Sequence, residues 1–97
     1  MNREQKLEIL DTSWELHSLV ETSYLNNPAN KGDTEWLEKQ RMLLADMALH
    51  LLQTAIKPGE IELDRLSDNM NAILTIADQF LPNAHLKKAT EKLYDNL

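Results

Sequence analysis

The sequence predicts an all-α protein: an antiparallel four-helix bundle of three long helices and a shorter C-terminal one, in a single domain over residues 1–97. Three observations carry this. Apolar residues recur at steps of three and four rather than in alternation, the mark of helices lying on a core. The chain has only two glycines and three prolines, too few for the many turns of an all-β domain. The prolines also cluster where helices should stop, in "LNNPANKGD" (25–33), "KPG" (57–59) and "LPN" (81–83).

The first segment is a helix whose apolar residues Leu7, Leu10, Trp14, Leu16, Leu19, Val20 and Leu25 wrap more than half of the wheel. Glu8, Asp11 and Glu15 form an acidic strip beside them. His17 falls inside the apolar arc with Leu10, Val20 and Tyr24, and reads as a core histidine that needs a hydrogen-bond partner. A phosphotransfer role for His17 is disfavoured by Glu21 at i+4, whose charge opposes an incoming phosphoryl group.

The second segment holds "MLLADMALHLLQTAI" (42–56). A membrane-spanning helix needs about twenty mostly apolar residues. This run is shorter and contains Asp46, His50 and Gln53, so no membrane segment is expected. On the wheel, Lys39, Asp46, His50, Gln53 and Lys57 share one stripe under about 80° wide. That placement makes His50 a solvated residue one turn beyond Asp46. Leu37, Leu44, Met47, Ala48, Leu49, Leu51, Leu52, Ala55 and Ile56 cover roughly 200° or more of the wheel, and Leu52 is expected in the core or in a subunit interface. Asp33 precedes the segment as its expected N-cap.

The third segment has an arc that suits a helix lying on a core. Leu63, Leu66, Met70, Ile73, Leu74, Ala77, Phe80 and Leu81 fill an arc of about 120°, with Glu60, Asp64, Asn71 and Asp78 opposite. The three-residue break before it predicts a hairpin with the second helix. The fourth segment, with Asn83 as its expected N-cap, has a thin stripe of Leu86, Ala89, Leu93 and Leu97. A three-helix bundle with a docked tail is the near alternative.

Several function classes fall away. There is no cysteine, hence no disulfide, thiolate metal site or cysteine nucleophile, a composition that suits a reducing compartment. The N-terminus lacks a charged-then-apolar leader pattern, so the expected location is cytoplasmic. No Glu-x-x-His motif occurs, and the three histidines lie in different helices or helix ends. The sequence therefore predicts no metal site and no cofactor. Gly-rich phosphate loops and a nucleophile elbow are missing too, so no catalytic residues are expected and the protein is read as a non-enzyme. The net charge is −6, and residues 59–81 set Arg65 against five acids. Direct nucleic-acid binding is not expected from such a surface.

What remains is a small non-enzymatic interaction protein, an adaptor, regulator or chaperone, that contacts another protein and self-associates as a homo-oligomer. Leu7, Trp14, Trp36 and Leu43 stand at the edges of over-wide apolar arcs and are the candidate protein interface. The alternative is an acidic inhibitor, of antitoxin, immunity or phage anti-defence type, that masks a basic surface of a nucleic-acid-processing enzyme. Its candidate surface is Glu8, Asp11, Glu15, Glu60, Asp64, Asp68 and Asp78.

Overall fold

A computed structural model describes all 97 residues. It contains helices α1 (Arg3–Asn26), α2 (Trp36–Ile56), α3 (Leu63–Ala77) and α4 (Leu86–Thr90), and no strand. The all-helical expectation holds, with α4 reduced to five residues. No helix is long and apolar enough to cross a membrane.

Local chemistry explains the boundaries. Asn2 and Gln5 form a capping box at the start of α1: Asn2 Oδ1 accepts from the Gln5 N–H at 2.8 Å, and Gln5 Oε1 accepts from the Asn2 N–H at 3.0 Å. The α1–α2 loop is tied by its own polar side chains. Asn27 Oδ1 accepts from the Ala29 N–H at 3.0 Å, and Asp33 Oδ2 accepts from the Asn30 N–H at 2.7 Å. Asp33 is thus spent inside the loop. Glu35, not Asp33, occupies the N-cap position of α2, and its side chain makes no capping bond. Between α2 and α3, Gly59 takes φ +97°, a left-handed turn that glycine adopts without strain. At α4 the N-cap position belongs to His85, not Asn83, and His85 adopts φ +54°.

Each helix packs on its neighbour in sequence: α1 on α2, α2 on α3, α3 on α4. The backbone of α1 approaches neither α3 nor α4. The result is a flattened slab of 45 × 33 × 16 Å. The radius of gyration is 15.1 Å, where a compact chain of this length has about 12.5 Å. The accessible surface is 6933 Å², where a compact monomer of 11.2 kDa exposes about 5,700 Å².

The core is correspondingly thin. Ala29 and Ile76 are the only buried apolar residues, whereas Ser13, Gln40, Asp46, Gln53 and Ser67 are buried polar ones. This overturns the orientation expected for α2. Its polar stripe lies inward, with Asp46 and Gln53 buried and His50 half-buried, while Leu37 is 47% and Leu52 39% exposed. The reason is that α2 is the middle helix of a single layer. Its two flanks are occupied by α1 and α3, and both bring polar partners. Gln53 Nε2 donates to Ser13 Oγ at 3.2 Å, and Gln79 Nε2 donates to Gln40 Oε1 at 2.9 Å. No buried side-chain nitrogen or oxygen lacks a hydrogen-bond partner, so the inward stripe avoids the desolvation cost of unpaired groups.

The C-terminal tail is held to α3 by two bonds. Ser67 Oγ donates to the Leu93 carbonyl at 2.8 Å, and the Tyr94 hydroxyl donates to Asp68 Oδ1 at 2.6 Å. The bond to Asp68 raises the Tyr94 pKa above its ordinary value of 10.0, with desolvation and the Asp68 charge acting in the same direction. A raised acid holds its proton more tightly in the docked state. The docking contribution is therefore present in full below pH about 10 and is lost as pH climbs through the raised value. An absorbance titration of phenolate should show a late component that Tyr94→Phe removes; a Tyr94 midpoint at the ordinary value would contradict the bond.

Candidate functional site

The most concentrated chemistry lies where α1 crosses α2. His17 sits on the inner face of α1, among Leu10, Ser13, Val20 and Tyr24, all half-buried or buried. Asp46 and His50 are one turn apart on α2, spacing that puts both side chains on one face. His17 Nδ1 is hydrogen-bonded to Asp46 Oδ1. The other oxygen, Asp46 Oδ2, faces His50 Nε2 at 3.6 Å, an ion-pair separation rather than a hydrogen bond. On the far side of the ring, His17 Nε2 meets Glu21 Oε2 at 2.8 Å. The order is therefore Glu21, His17, Asp46, His50: two carboxylates and two imidazoles in alternation. Solvent access is lowest at Asp46, 9% exposed, and rises on either side, to 15% at His17 and 49% at Glu21 and to 31% at His50.

Trp14 covers the cluster. Its ring stands edge-on to His17 at 5.2 Å and to His50 at 6.0 Å between centroids, and the two imidazoles are 4.8 Å apart. Beside them opens a cleft of about 460 Å³ between Leu10 and Trp14 of α1, His50 and Gln53 of α2, and Asp68 and Asn69 of α3. Neither serine near the cluster is poised as a nucleophile. Ser13 Oγ donates to the Leu10 carbonyl at 2.6 Å, and Ser18 Oγ to the Trp14 carbonyl at 3.2 Å.

The sequence expectation that the histidines do not converge fails for two of the three. His17 and His50 meet at Asp46, and the side-chain ligand atoms of the three residues lie within 4.8 Å of one another. His85 stays apart, exposed at the start of α4. His50 is not the freely solvated residue of the helical wheel, because α1 lies across its stripe. His17 does have the partner that its position in an apolar arc demanded.

The four residues of the expected interface do not form one patch. Leu7 and Trp14 are exposed on α1, with Trp14 over the histidines. Trp36 is half-buried at the other end of α2, where its indole N–H donates to Gln79 Oε1 at 3.0 Å. Fourteen residues of helix separate it from His50, about 21 Å along the axis. Leu43 is half-buried between them. Of the acidic residues, Glu8, Asp11, Glu15, Glu60, Asp64 and Asp68 are exposed and Asp78 is half-buried. Asp68 is engaged by Tyr94.

No protein family, curated protein or solved structure matches the chain. Function therefore rests on the geometry.

Proposed function

We propose that the chain is a cytoplasmic, non-enzymatic protein-interaction module that works as a homodimer, joined along the outer face of α2. The observation that carries this reading is the thinness of the slab. The chain exposes about 1,200 Å² more than a compact monomer of its mass, and a standard interface covers about 800 Å² on each partner.

The face left open has a heptad pattern. Leu37, Leu44 and Leu51 recur every seven residues, with Arg41, Ala48 and Ala55 at the intervening positions. Leucine at one position and alanine at the other lets two helices approach closely. Leu37, Ala48 and Ala55 are exposed, and Leu44 and Leu51 are half-buried.

Charge selects a second copy as the occupant. Residues 26–58 carry four bases and four acids, and within the face Arg41 already pairs with Glu38 at 3.0 Å. Two such faces meet without repulsion. Residues 59–81, with five acids against one base, would repel their own copy. A two-fold contact between identical patches is the commonest way to cover such a surface.

The antiparallel expectation is supported by the order of cross-helix contacts. Lys39 lies over the Tyr24 ring at one end of α1–α2, and Gln53 meets Ser13 toward the other. Gln40 meets Gln79 and Thr54 meets Asn69 across α2–α3. With α4 too short to close a four-helix bundle, a second copy supplies the missing cover.

Light scattering on purified protein at micromolar concentration should give a mass near twice the 11.2 kDa chain. A strictly monomeric mass, with no partner bound, would overturn the reading.

A further inference from the structure

We infer that His17, Asp46 and His50 form a binding site for one divalent transition-metal ion of the zinc class. The site lies within one chain, so the inference is independent of dimer formation.

Two imidazoles and one carboxylate are a borderline-soft nitrogen and oxygen donor set, which suits Zn²⁺ and its neighbours better than Mg²⁺ or Ca²⁺. The spacing fits. Bonds of about 2.0–2.2 Å in a tetrahedron hold ligand atoms about 3.3 Å apart. His50 Nε2 and Asp46 Oδ2 stand at 3.6 Å, and all three residues offer a ligand atom within a 4.8 Å span.

The surroundings are those of a metal site as well. A ligating histidine commonly has its second nitrogen held by a carboxylate, which fixes the ring and raises its donor strength. Glu21 does this to His17: Nδ1 faces the cluster and Nε2 is held by Glu21 Oε2 at 2.8 Å. Asp46 and Glu21 together bring two negative charges, which a divalent cation neutralises. Three protein ligands leave a coordination position free, the arrangement that admits water or an outside ligand. His50 and Trp14 line the adjacent cleft, so that position has access to solvent. The ligands come from α1 and α2, and the ion would fasten one helix to the other.

The probe is Zn²⁺ added to the EDTA-treated, full-length protein in a non-chelating buffer, followed by calorimetry. The expected result is one ion per chain with micromolar or tighter affinity. Asp46→Asn and His50→Gln should each weaken binding at least tenfold. Glu21→Gln should weaken it about tenfold, the usual effect of losing an outer carboxylate. His85→Gln, at the exposed third histidine, should leave it unchanged. Co²⁺ gives an independent readout, because an ion at the site lies beside Trp14 and should quench its emission in a Trp36→Phe background. Far-ultraviolet circular dichroism checks each variant for folding, and His50→Gln alters a half-exposed side chain if Asp46→Asn does not fold. Millimolar or absent Zn²⁺ binding by the unaltered chain would overturn the inference. So would binding that survives His50→Gln in a folded protein, or that His85→Gln weakens equally.

Discussion

Asp46→Ala should destabilise the metal-free protein by about 3 kcal/mol, the upper end of the cost of leaving buried polar groups without their hydrogen-bond partner. The Asp46 side chain is 9% exposed and both its oxygens face imidazoles. Truncation removes the group around which His17 and His50 are arranged and leaves His17, 15% exposed, with only its outer partner. In a domain of this size that loss lowers the melting temperature by more than about 12 °C. Glu21→Ala is the internal comparison. It also removes a carboxylate from His17, but a half-exposed one, and an exposed pair is worth at most about 1 kcal/mol. Urea unfolding of both variants at one fixed protein concentration measures the difference. Equal losses would mean that the cluster is organised from its outer end, against the burial gradient.

Ala48→Glu should convert the proposed dimer to a monomer. Ala48 is exposed, and a surface substitution in a lone monomer changes stability by less than about 0.5 kcal/mol. On the outer face of α2, by contrast, the glutamate would be buried against the second copy, next to its own symmetry-related partner. Burying two like charges without counterions raises the dissociation constant at least a hundredfold, about 3 kcal/mol. The scattering mass should fall to that of one chain while the helical signal of the dissociated slab is retained. An unchanged mass would rule out this face as the contact, and the same substitution at Leu7 or Trp14 on α1 would then locate it.

The helices of this fold were legible in the sequence, and the inner face of the third was legible in part. Leu66, Met70, Ile73 and Leu74 are half-buried as the arc on the wheel requires, but the two buried residues of the helix, Ser67 and Ile76, lie outside that arc, and Leu63 and Leu81 within it are exposed. Helix α2 was legible as a helix but not in its orientation. A wheel divides polar from apolar positions, and it is silent on which side the neighbours take. Asp46 and Gln53 look solvated until Ser13 and His17 are placed against them. One signal did exist. Ser13 and His17 lie on the inner face of α1, and a histidine in an apolar arc calls for a polar partner on the facing helix. Asp46 is the acid on α2 within its polar stripe, and pairing the two demands would have turned α2 round. The caps of α2 and α4 were misplaced for a different reason. Asp33 and Asn83 have the right side chains, but Asp33 closes the loop onto Asn30 instead, and α4 starts from a left-handed His85.

Packing only between sequence neighbours has a kinetic consequence. A chain whose helices meet in the order of synthesis has a low contact order, and the loops it must close are short. No early helix has to wait for a late one. The α1–α2 pair can form while α3 is still emerging, and each later helix adds to a surface already present. In the proposed dimer the slower step would be the meeting of two copies, since that encounter depends on concentration whereas everything before it does not. In the proposed dimer, folding and assembly would thus be separated in time by architecture, with the chain complete in secondary structure before the outer face of α2 is covered.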